Sequence, residues 1–268
     1  MTKNEIDLPR VTTREEWLDA RVKLLDQEKA LTEARDRLNA ERRRLPMVAI
    51  DQPYRFTGPD GEASLADLFE GRRQLILYHF MWLWKAGQPL DRGCPSCSAW
   101  ADQLARGHLQ HVHLRDTALV LVSRAPYASI EKFRARMGWN VPWYSSWGSD
   151  FNFDFGVSFD EKHPPESYNY RSRADHEKAG TDYYLTGDLP FDLPGISCFL
   201  RDGDRVFHTY STYGRGGETI GGAYYFLDLT ALGRQEEWEE PKGRALGAGA
   251  KAGSDRIRYP DEYGPEAR

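Results

Sequence analysis

Residues 93–98 read Gly-Cys-Pro-Ser-Cys-Ser, and this stretch decides the fold assignment of the chain. An apolar run over residues 75–82 precedes it, and a helix-like segment over residues 98–106 follows it. The pattern predicts a strand, a turn and a helix, with Cys94 at the helix start. Free N–H groups and a partial positive charge at that position stabilise a thiolate and lower its pKa. Cys97, one turn further on, is then placed to attack a mixed disulfide formed by Cys94.

The composition limits the class of protein. The 268 residues are 40% hydrophobic and 13% aromatic, enough for a sizeable core. A net charge of -5 gives no electrostatic basis for binding nucleic acid or an anionic membrane surface. We expect no membrane span and no secretory signal, because no run of 18 apolar residues is present and the first ten residues are polar. Three cysteines do not make a secreted disulfide scaffold, so the expected location is the cytoplasm, where a CxxC pair is a redox or metal site.

The N-terminal part, residues 1–46, is predicted to be a helical arm. Residues 13–44 read as one long helix that begins at a capping box of Thr13 and Glu16 and ends before Pro46. Large apolar residues recur every seven positions along it, at Trp17, Leu24, Leu31, Leu38 and Leu45. The residues three positions before each of these are charged, so the apolar stripe is narrow. The stripe predicts docking on a globular body, either that of the same chain or that of a partner subunit in a homodimer.

Residues 47–232 are predicted to form the globular domain, and the order of their elements indicates an α/β fold of thioredoxin-like topology. Two continuous apolar runs are typical of strands in a parallel sheet that is covered on both faces. Asp202-Gly203 between two apolar segments predicts a hairpin. The predicted elements are strands over 74–82, 117–123, 196–200 and 206–211, and helices over 98–106, 128–137 and 219–229. Residues 233–268, charged and rich in Gly and Ala, are predicted to be a tail that is largely disordered, or docked on the body at residues 256–263.

The chain resembles a bacterial thioredoxin-like family that is catalogued mainly as a domain of unknown function. The resemblance covers residues 10–232. It is carried by the stretches LADLF at 65–69, YHFM at 78–81, GCPSCS at 93–98, VSRAP at 122–126, GSDFN at 148–152 and FHTYSTY at 207–213. It implies the thioredoxin-like fold and says little about activity. The loop over residues 84–89 departs from the family pattern, and it borders the cysteines.

Thioredoxin chemistry is the first functional hypothesis, and it comes from the CxxC pair at the predicted helix start. By analogy, Cys94 is the nucleophile, Cys97 is the resolving thiol, and Pro194 takes the place of the cis-proline that faces the pair and shapes the substrate site. Such a thiol–disulfide oxidoreductase needs no cofactor, and its partner is a thiol-containing protein or small molecule. Peroxiredoxin chemistry is disfavoured. That family needs Thr or Ser three residues before its reactive cysteine and Pro four before that, where this chain has Asp91 and Gly87.

A copper site is the second hypothesis. The Sco copper chaperones, which share the thioredoxin fold, use two cysteines at the helix start and a histidine from a late strand. Cys94, Cys97 and His208 would form a similar set, and two thiolates with an imidazole suit Cu(I) or Zn. The spacing differs, because Sco proteins have three residues between their cysteines. Such a site would make the chain a copper-binding protein or a copper-dependent oxidase.

An aromatic segment over residues 139–155 has two interpretations. Arg124, Trp143 and Trp147 are candidates for the wall of a substrate pocket, because long structured loops in compact domains are often functional. The alternative is a hydrophobic plug under a long loop. A third hypothesis for the whole chain is a non-catalytic adaptor, in which the leucine-striped arm carries the function.

Overall fold

The strand that leads to the cysteine motif lies at the centre of a mixed sheet. A computed structural model describes residues 8–222, 227–231, 236–240, 242–243 and 257–262. Within them the helices are α1 (Arg14–Arg44), α2 (Pro95–Ala101), α3 (Arg106–His113), α4 (Tyr127–Met137), α5 (Phe151–Asp154) and α6 (Arg173–Ala179). The strands are β1 (Val48–Ala49), β2 (Arg55–Gly58), β3 (Gly61–Ser64), β4 (Gln74–His79), β5 (Trp82–Lys85), β6 (Gln88–Gly93), β7 (Thr117–Ser123), β8 (Trp143–Ser145), β9 (Ser158–Phe159), β10 (Ser167–Tyr168), β11 (Arg171–Ser172), β12 (Phe191–Asp192), β13 (Gly195–Asp202) and β14 (Arg205–Tyr213).

Eight of these strands form the main sheet, in the order β1-β14-β13-β4-β7-β8-β2-β3. β4 and β7 are parallel, and so are β7 and β8, whereas β13 runs antiparallel beside β4. All seven residues of β7 are buried, as expected for a parallel strand covered on both faces. A strand-helix-strand unit followed by an antiparallel hairpin next to its first strand is the thioredoxin-like arrangement. The predicted α/β thioredoxin-like fold is therefore confirmed.

The sheet separates two cores. Successive residues of β4 point to opposite faces, so Tyr78 lies on one side and Leu77 on the other. We call the side that holds Tyr78, Cys94 and Cys97 the cysteine face. The opposite side, which holds Leu77 and Phe199, is the far face. This division decides which of the candidate residues can meet.

An extra hairpin separates the central strand from the cysteine helix. β4 ends at His79, and β5 and β6 then form a two-stranded antiparallel sheet of their own. Ala86 and Gly87 lie between β5 and β6, and their positive φ angles let the chain reverse direction there. The predicted strand over 74–82 is thus shorter than expected. The helix predicted over 98–106 is replaced by α2 and the separate α3.

α1 confirms the predicted arm helix. Thr13 is its N-cap and accepts a hydrogen bond from the Glu16 backbone N–H. None of its 31 residues is buried, and the apolar stripe stays exposed, with Leu31 at 62% and Leu38 at 58% exposure. The guanidinium of Arg42 lies over the Tyr210 ring, 4.6 Å from its centroid. The stripe therefore does not pack on the part of its own chain's body that the structure describes.

The C-terminal part is described only in pieces. Gly214–Ile220 is a 3-10 helix, and the helix predicted over 219–229 lies partly outside the described residues. In the tail predicted over 233–268, a 3-10 turn at Pro260–Glu262 follows Ile257 and Tyr259, which are both buried. Among the described helices, none combines the length and the apolar composition needed to cross a bilayer.

Candidate active site

Cys94 and Cys97 lie where the extra hairpin runs into α2. Cys94 is the N-cap residue, and Pro95 occupies the first helical position, where its missing N–H costs nothing. The Cys94 backbone N–H donates to the Met81 carbonyl at 3.0 Å, which fixes the turn to the short segment between β4 and β5. Both cysteines are free thiols, and both are buried, with 5% and 2% of their surface exposed. The site is thus built beneath the surface.

The two thiols differ in acidity. A hydrogen bond from the Cys97 thiol lowers the pKa of Cys94 to about 7, against the opposing effect of burial. The backbone N–H groups of Cys97 and Ser96 contribute further to this lowering. Burial and the neighbouring Cys94 raise the pKa of Cys97 well above its usual value. Negative charge at neutral pH therefore goes to Cys94, as a nucleophile and a resolving thiol require.

Tyr78 connects the central strand to Cys97. Its hydroxyl forms a hydrogen bond with the Cys97 thiol, and this bond lowers the pKa of that thiol. The ring stacks flat on Trp100 of α2, with centroids 4.2 Å apart and planes inclined by 7°. Burial raises the pKa of Tyr78 well above its usual value, so the phenol stays protonated and can only donate to a thiolate. The sequence reasoning missed this residue, although the alternation of β4 puts it on the cysteine face.

A buried carboxylate holds the hairpin that precedes the cysteines. Asp192 accepts hydrogen bonds from the Arg124 Nε at 3.0 Å and from the Ser158 hydroxyl at 2.7 Å. Its second oxygen accepts from the Trp82 backbone N–H at 3.2 Å and from the Trp84 indole at 3.0 Å. Both tryptophans belong to β5. A single anion therefore ties β5 to β12 and to the end of β7.

The Asp192 hydrogen bonds affect the position of Cys94 through the pairing of β5 with β6. Trp82 pairs with Gly93, the residue directly before Cys94. A Cβ atom at Gly93 would collide with the Phe80 ring, so only glycine allows the chain to pass here. The position of Cys94 thus depends on Asp192 through the pairing of Trp82 with Gly93.

The C-terminal segment also touches this turn. Tyr259, with 1% of its surface exposed, donates its hydroxyl hydrogen to the Gly93 carbonyl oxygen. Its ring packs edge-on against Phe133 of α4, with centroids 5.4 Å apart. Tyr259 belongs to the same buried cluster as Cys94 and Cys97. The tail was predicted to be largely disordered, or docked on the body at residues 256–263, and Tyr259 was not expected at the site.

Pro194 differs from its expected geometry. The cis peptide of the described residues is Leu189–Pro190, so the bond before Pro194 is trans. The Pro194 carbonyl accepts a hydrogen bond from the Tyr168 hydroxyl at 2.6 Å. Pro194 keeps its expected place, directly before β13, but the cis-proline assignment is corrected.

The expected pocket wall of Arg124, Trp143 and Trp147 does not form. Arg124 is buried, pairs with Asp192, and lies 4.3 Å from the centroid of the Trp84 ring. Trp143 is fully buried in the cysteine-face core, where its indole N–H donates to the Ser123 hydroxyl at 3.0 Å. Trp147 is 48% exposed and stacks on Trp84 at 5.8 Å. These residues support the fold instead, because the apolar rings pack together and the charge is neutralised internally.

His208 lies on the far face, so the expected set of two cysteines and a histidine is not assembled. Its ring contacts Phe199 and Phe155, with centroids 5.5 and 5.3 Å away. A bulge at Thr209 is the cause: Cys198 pairs with Tyr210, but Phe199 pairs with His208. The extra residue shifts the alternation of β14 and turns His208 away from the cysteines. Across the described residues, no group of three or more His, Cys, Asp or Glu side chains converges as a metal site.

On the far face, His208 is part of a chain of hydrogen bonds that ends at His79. Its Nε2 lies 2.7 Å from the Ser211 hydroxyl, which lies 2.7 Å from the Ser197 hydroxyl. Ser197 is in turn 2.8 Å from the Nε2 of His79, a buried residue of β4. Burial lowers the pKa of His79 to about 3 and also lowers that of His208. Both imidazoles are therefore neutral near pH 7 and satisfy the hydroxyls that the strands bury.

The comparisons with known proteins place the chain in a family. The model of a bacterial protein family of unknown function, DUF899, matches residues 6–263. No curated protein sequence matches the chain.

Solved structures of peroxiredoxins share part of the chain path. A bacterioferritin comigratory protein of Xanthomonas campestris, studied for alkyl peroxide reduction, is 12% identical with a TM-score of 0.35, covering 66% of this chain and 91% of its own. Peroxiredoxin Q of the same organism, as a cysteine-to-serine mutant, is 14% identical with a TM-score of 0.36 and the same coverage. The Xylella fastidiosa peroxiredoxin Q, also as a cysteine-to-serine mutant, is 11% identical with a TM-score of 0.35, again with that coverage.

Replacement of the anchoring carboxylate, Asp192→Asn, is expected to destabilise the fold by about 3 kcal/mol, because it leaves the Arg124 charge buried without a counter-ion. Urea unfolding at pH 7 measures the loss. The double variant Asp192→Asn with Arg124→Met should recover part of it, since no charge is then left unpaired. A loss below about 0.5 kcal/mol in the single variant, within the range of a neutral surface change, would contradict the anchoring role.

Proposed function

This chain belongs to the bacterial family of unknown function DUF899, and we propose that it is a thiol–disulfide oxidoreductase that uses Cys94 and Cys97. The observation that supports this most is the division of acidity between the two thiols. Cys94 sits at the N-cap of α2 with its pKa lowered to about 7, and the pKa of its hydrogen-bonded neighbour Cys97 is raised. Substrates are disulfides or dithiols of proteins or small molecules. No cofactor is needed for the exchange.

The first step forms a mixed disulfide. The Cys94 thiolate attacks one sulfur of a substrate disulfide, a new S–S bond forms, and the second substrate sulfur leaves as a thiolate that takes a proton from solvent. The lowered pKa provides thiolate at neutral pH without a separate base. The Asp192 anchor and the Trp82–Gly93 pairing hold the turn that carries Cys94. The attacking sulfur is thus kept at a fixed position beneath the surface.

The second step releases the product. Cys97 loses its proton to the departing substrate sulfur and attacks Cys94, so the Cys94–Cys97 disulfide forms and the substrate leaves as a thiol. The substrate has gained two electrons and the protein has lost two, and an external dithiol restores the reduced pair. Tyr78 donates its hydroxyl hydrogen to the sulfur of Cys97 and stabilises the charge that this sulfur carries during attack. Its own raised pKa excludes it as the base.

A second role, self-association through α1, is favoured by the exposed apolar stripe. A helix of about 46 Å that buries none of its residues leaves its leucines in water. The first turn carries Glu15 and Glu16, and the last turn carries Arg42, Arg43 and Arg44. A second copy that lies antiparallel on the stripe covers the leucines and brings opposite charges together at both ends. We propose that α1 is a homodimer interface.

The alkylation rate of Cys94 should rise with pH and reach half its maximum near pH 7, below the value of about 8.5 for an ordinary thiol. Below this midpoint the thiol is protonated and unreactive, so the rate falls as the pH falls. Iodoacetamide labelling followed by mass spectrometry of the Cys94 peptide gives the profile. Cys97→Ala removes the hydrogen bond that lowers the pKa and should raise the midpoint by about one pH unit. A profile that is the same in this variant would contradict the pairing of the thiols.

Tyr78→Phe should slow the second step about tenfold and leave the first step unchanged, because it removes one hydrogen bond to the sulfur of Cys97. With dipyridyl disulfide in a Cys198→Ser background, release of the first equivalent of pyridinethione reports attack, and release of the second reports resolution. Tyr144→Phe, a far-face tyrosine, is the matched control and should change neither. Equal slowing of both steps in Tyr78→Phe would indicate a packing defect and contradict the assigned role.

Light scattering should give the wild-type protein the molar mass of a dimer. The double variant Leu31→Asp with Leu38→Asp should have the molar mass of a monomer, because charges then occupy the covered stripe. Lys29→Asp changes the opposite side of the same helix and should leave the dimer intact. A wild-type monomer at micromolar concentration contradicts the interface, as does a dimer that survives the double replacement.

A further inference from the structure

The C-terminal segment Ile257–Glu262 places Tyr259 beside Cys94. Tyr259 is buried in one cluster with Cys94. It donates a hydrogen bond to the carbonyl of Gly93, the residue directly before Cys94. Burial is the main cause that raises the pKa of Tyr259, and the negative charge of the nearby Cys94 thiolate contributes to the rise. Ile257 is buried as well. Tyr259 therefore contributes to the cover that leaves only 5% of Cys94 exposed.

Ion pairs hold the far end of the segment on α4. Arg136 donates from Nε and Nη2 to the two carboxylate oxygens of Asp261, each at 2.9 Å, and from Nη2 to Glu262 at 3.1 Å. The same guanidinium lies 4.8 Å from the centroid of the Tyr259 ring. About a third of the Arg136 side chain is exposed, so these pairs face solvent and weaken as salt is added.

We infer that Tyr259 is a specificity-determining residue of the dithiol site, where it admits to Cys94 only those substrates that fit beside its ring or displace it. The inference rests on the proposed function, because it concerns access to the same thiol. A buried nucleophile must be uncovered before a disulfide can approach along the line of the new S–S bond. Tyr259 is suited to this, because among the described residues its ring meets one aromatic ring, that of Phe133, and one cation, Arg136, and its segment is held by one buried hydrogen bond and two solvent-facing ion pairs rather than by a strand of the sheet.

Two alkylating probes of different size measure this access directly. In a Cys198→Ser background, the labelling rate of Cys94 is followed by mass spectrometry with iodoacetamide and with a maleimide attached to polyethylene glycol. Tyr259→Ala should raise the rate about threefold for the small probe and at least about tenfold for the large one, because the missing ring leaves an open path. Tyr259→Phe keeps the ring and loses the hydrogen bond, so its rates should lie between those of wild type and Tyr259→Ala.

Arg136→Ala tests the same cover without touching the buried ring. It should raise the rate for the large probe several-fold and abolish the increase that added salt produces in wild type. Lys132→Ala removes another exposed cation of α4 and is the matched control, with wild-type rates expected. Circular dichroism and the pH midpoint of Cys94 labelling show whether each variant keeps its fold and its thiol chemistry.

The outcomes separate this inference from the proposed function. Unchanged labelling in Tyr259→Ala and Arg136→Ala, with both variants folded, would overturn the role of Tyr259 even if the protein exchanges disulfides. An equal rise for both probes would overturn it as well, since size selection is then absent. Faster labelling with the larger effect on the large probe supports the inference, and it does so even in a protein that shows no disulfide exchange.

Discussion

The buried Asp192 carboxylate is the constraint on which the site depends. It brings together the end of β7 through Arg124, β9 through Ser158, and the extra hairpin through Trp82 and Trp84. Burying one charge pair is costly, and here both oxygens of the carboxylate are used by donors, so the cost is offset by hydrogen bonds. The hairpin would otherwise be a two-stranded ribbon, which is marginal in water by itself. Its ordered path is what delivers Gly93, and then Cys94, to the start of α2.

Once the turn is fixed, a small number of contacts gives the two thiols different pKa values. Backbone N–H groups and the Cys97 thiol face Cys94, whereas Cys97 lies deeper and has the Tyr78 hydroxyl as its donor. The stacking of Tyr78 on Trp100 holds the phenol in place between the central strand and the cysteine helix. Negative charge at neutral pH is thus favoured on the sulfur of Cys94 rather than on that of Cys97. Tyr259, from the C-terminal segment, is buried in the same cluster as Tyr78 and both cysteines.

Local patterns predicted the parts of the fold that depend on short-range signals. The long helix followed from Thr13 and Pro46, β7 from its continuous apolar run, and the C-terminal hairpin from Asp202-Gly203. The extra hairpin was not predicted, because Trp82 to Gly93 has the mixed composition of a loop and its order comes from Asp192, about a hundred residues later. Such a contact leaves no trace in local periodicity.

The candidate site shows the same limit. Cys94 and Cys97 were recognisable from their spacing and their place before a helix, but His208 was chosen only by analogy with the Sco proteins, as a histidine in a late strand. One extra residue, Thr209, reverses the alternation of β14 and moves the imidazole to the far face, as a bulge does in any strand. Tyr78 and Tyr259 come to lie beside the cysteines only through tertiary packing.

The most direct test of the proposed dithiol pair is a redox titration of the reduced protein in glutathione buffers, with thiol labelling and mass spectrometry. A single two-electron transition to a Cys94–Cys97 disulfide, absent in Cys94→Ser and in Cys97→Ser, is the predicted result; two cysteines that never join across the range of potentials would contradict the account.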